Sequence, residues 1–123
     1  ARKALEAILH PMIGVATRAE ADRAPADAPI VFDVPLLVES RHWAGRVERV
    51  LLVDCAEATQ VQRVMQRNGW TAEAVERVIA QQASRSARRA VADAVIYNDG
   101  ITLAQLQAQV RTLWQAWIGP LPP

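Results

Sequence analysis

Val50-Leu51-Leu52-Val53-Asp54-Cys55-Ala56-Glu57-Ala58-Thr59-Gln60-Val61-Gln62-Arg63-Val64-Met65-Gln66-Arg67-Asn68-Gly69 decides the class of fold. Its first four residues are an unbroken apolar run, which suits a strand buried on both faces, as in a parallel sheet. From Ala56 the pattern changes to that of an amphipathic helix, and Asn68-Gly69 supplies its C-terminal stop. A buried strand feeding directly into an amphipathic helix is the repeating unit of α/β architecture.

Downstream, Thr71 is an N-cap for a helix running to about Ser84. A basic helical stretch follows over Arg85 to Ala92, then a strand at Ala94-Val95-Ile96-Tyr97 and a turn at Asn98-Asp99-Gly100. The last helix is read from Thr102 to Ile118, with Leu103, Leu106, Val110, Leu113 and Trp117 on its apolar face, before a fraying tail from Gly119 to Pro123. Upstream, residues 36–46 read as a connection. Ile30-Val31-Phe32-Asp33-Val34, set between Pro29 and Pro35, reads as a further buried strand. Ala24 to Ala28 is a loop. Ala1 to about Arg23 is a helix with Leu5, Ile8, Leu9, Met12, Ile13 and Ala16 on one face, interrupted at Pro11.

The 123 residues bound the answer to one domain at most. An apolar share of 51%, a charged share of 22% and a net charge of +1 fit a globular protein without a strong electrostatic instruction, so nucleic acid is not an expected partner. No run approaches the ~18 apolar residues of a membrane span, so a membrane is not expected either. The lone Cys55 builds neither a disulfide framework nor a zinc site and suits a reducing cytoplasm. Thirteen of the 14 basic residues are arginines. Arginine grips phosphate through a planar fork, but codon bias in a G- and C-rich genome gives the same count. The chain opens at Ala1 within a helical pattern, which reads as a start inside a longer protein, although processing gives the same start.

Gln60, Arg63 and Arg67 share one face of their helix, at i, i+3 and i+7. Gln81-Gln82 and then Arg85, Arg88 and Arg89 follow across a short Asn68-Gly69-Trp70 link. Two arginine-bearing helices joined this way make a lid over a polyphosphate, or else two solvated faces paired with Glu57, Glu73 and Glu76. Asp33, after Ile30-Val31-Phe32, either holds Mg²⁺ or caps a loop. His10 is either a general base or a packing residue beside Pro11, and His42 is a surface residue by default. Trp43 and Trp70 sit in loops, where an indole stacks on a base or simply covers surface; Trp114 and Trp117 serve helix packing. There is no G-x-x-x-x-G-K-[ST] segment, and the five glycines are scattered.

The order of motifs resembles the dephospho-CoA kinases. The resemblance rests on Leu9-His10-Pro11-Met12-Ile13, on Val34-Pro35-Leu36-Leu37-Val38-Glu39, and on a strand ending at Val53-Asp54. It continues through the helix of Gln60, Arg63 and Arg67, then Gln82, then Ala92-Asp93-Ala94-Val95-Ile96-Tyr97-Asn98, covering about residues 4 to 113. It implies part of a three-layer P-loop kinase fold, with parallel strands, flanking helices, a helical lid and the first strands missing. Residues 1–46 would be the CoA or acceptor-binding helices and strand, 57–92 the lid-like helices, and 93–118 the last strand and C-terminal helix.

The implied reaction is ATP- and Mg²⁺-dependent phosphorylation of the ribose 3′-hydroxyl of dephospho-CoA, the last step of coenzyme A synthesis. By resemblance, Pro35, Leu36, Leu37, Glu39 and His10 border the acceptor, and Arg63 and Arg67 are candidate transition-state arginines at the nucleotide phosphates. Gln82 and Asn98 would serve the nucleotide, and Arg88 stands where many members carry Lys. The family's P-loop and the Asp-x-Asp segment of its catalytic base would lie N-terminal to Ala1, so the 123 residues alone are expected to be inactive, with a gap in their sheet. A non-catalytic module binding CoA or nucleotide is the alternative. Another P-loop small-molecule kinase is disfavoured by the Pro35-Leu36-Leu37 and Asp93 to Asn98 signatures.

Overall fold

The computed structural model describes residues 16, 18–40, 43 and 45–120. The chain divides into two units, Ala1–Asp33 and Val34–Pro123. In the first, residues 18–22 are helical, and two turns close through Ala24 N–H to Ala21 O and Ala28 N–H to Pro25 O. Residues 29–33 then run without regular secondary structure to the end of the unit.

That irregular run corrects one expectation. Ile30 to Val34 was read as a buried parallel strand, yet it joins no ladder among the described residues, and Val31 is 81% exposed. A strand is stabilised by a neighbour that takes its backbone donors and acceptors. The two strands that do pair belong wholly to the second unit.

The second unit runs α1 (Leu37–Ser40), β1 (Leu51–Asp54), α2 (Glu57–Asn68), α3 (Ala72–Gln81), α4 (Arg85–Val91), β2 (Ala94–Tyr97) and α5 (Leu103–Trp117). Helix α1 lies in the stretch read as a plain connection. Strands β1 and β2 are parallel, with Leu51 opposite Ala94, Leu52 opposite Val95, Val53 opposite Ile96 and Asp54 opposite Tyr97. Parallel neighbours require a long crossover, and α2, α3 and α4 supply it. Because side chains alternate along a strand, this register sets Asp54 and Tyr97 on one rung and one face. The ladder is fastened below by Asp93, whose backbone N–H donates to Val50 O at 2.8 Å while its carboxylate accepts from Val50 N–H at 2.7 Å. Above, Asn98 N–H donates to Asp54 O at 2.7 Å.

Local chemistry sets the helix ends. Gly69 stops α2 at φ 69°, in the left-handed region, and returns its N–H to Met65 O. Thr71 caps α3 by accepting from Ala74 N–H, and Ser84 caps α4 by accepting from Ala87 N–H. Thr102 and Gln105 form a reciprocal capping box at the start of α5. Among the described residues the buried hydrophobic residues are Val75 of α3 and Ile96 of β2. Helix α5 packs on β2 through part of the expected face. Leu106, Leu113 and Trp117 are half-buried, whereas Leu103 and Val110 are exposed. The neighbouring Trp114 buries its Nε1 without a hydrogen-bond partner.

Candidate functional site

In open parallel sheets the carboxyl ends of the strands are where ligands bind, because helix N-termini and loops converge there. In this protein that edge is made by Asp54-Cys55 after β1 and Asn98-Asp99 after β2. Two carboxylates organise it.

Asp54 is 6% exposed and takes both arms of Arg85, Nε to Oδ1 at 2.9 Å and Nη2 to Oδ2 at 2.9 Å. The same guanidinium lies 5.9 Å from the centre of the Tyr97 ring. Asp54 and Tyr97 form the last rung of the ladder, so one arginine at the start of α4 covers the end of the sheet. The Arg85 hydrogen bonds and charge hold the Asp54 carboxyl below its usual value, against burial, which acts the other way.

Asp99 serves α2 from outside that helix. Ala56, its N-cap, has no capping side chain. Asp99 Oδ2 replaces one, accepting from Ala56 N–H at 3.0 Å and from the Thr59 hydroxyl at 2.8 Å, with the Tyr97 hydroxyl at 3.4 Å. A carboxylate at a helix start meets both unsatisfied N–H groups and the positive end of the helix dipole. These bonds, led by the one from Ala56, lower the Asp99 pKa. Gln60 closes the same turn, donating from Nε2 to Cys55 O at 3.1 Å. Burial raises the pKa of the Cys55 thiol, so the neutral form dominates near neutrality.

The predicted arginines divide by the quality of their partners. Arg63 donates from Nη2 to Asn98 O at 2.9 Å, which brings two expected site residues together at the carboxyl edge. Arg67 donates to its neighbour Asn68, Nε to Oδ1 at 2.9 Å. It lines a groove between α2 and α3 with Gln60, Trp70 and Gln82. Arg88 donates from Nη2 to Gln82 Oε1 at 3.1 Å and stands 3.9 Å from Glu39 of α1. The surface pairing of these helices with Glu57, Glu73 and Glu76 is not formed among the described residues.

Of the expected acceptor residues, Pro35 and Leu36 make the turn entering α1, and Leu37 and Glu39 lie in it. Glu39 therefore reaches the arginine helices through Arg88. Asp33 is exposed and belongs to the first unit. His10 and His42 lie outside the described residues. Trp70 is 45% exposed in the α2–α3 link. No three Asp, Glu, His or Cys side chains converge among the described residues.

The residue that sequence reasoning underused is Asp54, read only as the end of a strand. Asp99, read only as part of a turn, is the second. The signal for both is faint: a carboxylate one position beyond an apolar run for Asp54 and two for Asp99, with its partner 31 residues away for Asp54 and 40 or more for Asp99.

Comparisons with known proteins give the family. The dephospho-CoA kinase family profile matches residues 1–104. A dephospho-CoA kinase of Burkholderia thailandensis is 55% identical over 119 residues, spanning 97% of this chain and 58% of that protein. One of Bordetella pertussis is 50% identical over 119 residues, spanning 96% of this chain and 55% of that protein. The crystal structure of TT1252 from Thermus thermophilus superposes with a TM-score of 0.78 at 34% identity, over 95% of this chain and 60% of that one. The chain thus spans a little over half the length of the relatives it matches. Its α/β fold, with parallel strands and flanking helices, is that of the P-loop kinases. The chain belongs to the dephospho-CoA kinase family.

Proposed function

We propose that these residues supply the acceptor segment and arginine lid of an ATP-dependent dephospho-CoA kinase. The reaction joins the ribose 3′-oxygen of dephospho-CoA to the γ-phosphorus of ATP and breaks the bond to ADP, which leaves with the electron pair. The hydroxyl proton passes to a base, for which the family's Asp-x-Asp segment is the candidate. Arg63 and Arg67 neutralise charge on the transferring group. Gln82 and Asn98 border the nucleotide, and Pro35, Leu36, Leu37, Glu39 and His10 border the acceptor. Mg²⁺ enters as the counter-ion of ATP. The cytoplasm is the proposed compartment, since ATP is drawn on there and Cys55 requires no oxidising environment.

The observation that carries this reading is Arg63 at the carboxyl edge, bonded to the neutral Asn98 carbonyl and to no carboxylate within 4.0 Å among the described residues. A guanidinium held by one carbonyl keeps a charge that a polyphosphate can take up at little cost. The test is calorimetry with ATP and with dephospho-CoA, Mg²⁺ present, on the protein at its native length, followed by turnover of Arg63→Ala. Binding of both ligands and a kcat lowered about 100-fold in the variant are expected. Binding without turnover in the unaltered protein would favour the non-catalytic module. Binding of neither ligand would end the kinase reading. The 123 residues by themselves hold no glycine-rich phosphate loop, so no turnover is expected from them alone.

A further inference from the structure

The lid-like segment is fastened to the sheet at both of its roots, and the two fastenings differ in kind. At the α2 root the contacts are hydrogen bonds around the N-terminus. Asp99 accepts from Ala56 and Thr59, and Arg63 donates to the Asn98 carbonyl. At the α4 root a single arginine is held by both atoms of a buried carboxylate, with an aromatic ring beside it. Arg63, Arg67 and Arg88 rest on a carbonyl, an adjacent amide and a glutamine, whereas Arg85, of these four and among the described residues, has a carboxylate at hydrogen-bond distance. A bidentate pair in a poorly hydrated place is costly to separate, because opening it strands a buried charge.

We propose that Asp54 and Arg85 form a fixed post that holds the root of α4 on the sheet, so that the lid closes by movement of α2 and α3 about a stationary α4. Asp54 is then a positioning residue: it acts through Arg85 and touches no substrate. The post sets where Gln82 and Arg88 stand, because both lie within three residues of Arg85 along the chain and bond to each other. The proposal rests on the kinase reading for its lid, but the post can be tested without that reading.

Two measurements on the protein at native length decide it. The first is amide hydrogen exchange without ligand, comparing the unaltered protein with Asp54→Asn. Exchange at least tenfold faster through α4, with α2 unchanged behind its Asp99 cap, is expected. No change in α4, or equal loosening of α2 and α4, overturns the post, whatever the protein binds. The second uses Asp54→Leu with Arg85→Met, a pair without charge that removes the stranded-charge problem and is expected to fold with a melting temperature near that of the unaltered protein. If the pair positions the lid, kcat for phosphoryl transfer falls at least tenfold while KM for ATP stays within threefold, the mark of lost alignment rather than lost binding. Full turnover in the double variant overturns the proposal and leaves the pair a purely structural one. Should the unaltered protein not bind ATP at all, the kinase reading fails, and the exchange experiment still decides the post.

Discussion

At the scale of single residues, the chemistry is concentrated in two carboxylates whose protonation should govern acid stability. Asp54 and Asp99 both have folded-state pKa values below their ordinary value of 3.8, the first through Arg85 and the second through Ala56 N–H and Thr59. A lowered folded pKa means that the unfolded chain takes up protons first as pH falls. The stabilisation is therefore fully present above the ordinary carboxylate range and is lost as pH drops through 3.8 toward the folded values. Urea denaturation of the protein at native length, repeated from pH 7 to pH 2, should show this loss, and Asp54→Asn should remove part of it. An unchanged acid limb in the variant would show that the Arg85 pair contributes nothing to the pH dependence.

At the scale of elements, helix boundaries follow from identifiable caps, so their cost can be stated in advance. Gly69 lies at φ 69° with nothing within 4 Å of an added Cβ, so the penalty of Gly69→Ala is one of backbone conformation alone. We expect it to cost about 1 kcal/mol. Thr102→Ala, which removes the acceptor for Gln105 N–H, should also cost about 1 kcal/mol. Thermal melting of each variant checks both figures, and a null effect at Gly69 would require the chain to leave α2 by another route. Helix α2 is the instructive exception, because its cap comes from Asp99, far along the chain. Local sequence therefore announces where α2 stops but not what holds its start.

At the scale of the molecule, the sheet is short of apolar cover. Leu51, Val53, Val95 and Tyr97 are 38%, 57%, 42% and 47% exposed, and Val75 and Ile96 alone are buried hydrophobics among the described residues. Two paired strands with so little buried surface are marginal by themselves. The 123-residue polypeptide in isolation should therefore bind an apolar dye and melt over a broad range, rather than as one cooperative transition. A sharp, dye-free, concentration-independent transition would contradict this.

How much of this was legible beforehand depends on the range of the interaction concerned. The apolar runs ending at Val53 and Tyr97, the Asn68-Gly69 stop and the Thr71 cap are local signals, and the strands and helices they announce are present within a few residues of their predicted ends. The motif order from Val34 to Asn98 likewise named the family, because signatures spread over many residues are hard to meet by chance. The Ile30 to Val34 run shows the limit. Apolar composition marks a segment able to pair, but pairing needs a neighbouring strand, and none of the described residues provides it. The sequence by itself determined the order of elements from β1 to α5, the Gly69 stop, the Thr71 cap and the arginine-bearing helices, since each depends on neighbours a few positions away. Only the tertiary structure decided which arginine is anchored and which are loosely held. That choice turned on Asp54 and Asp99 meeting groups 31 or more positions distant, across a crossover whose closure no local pattern encodes.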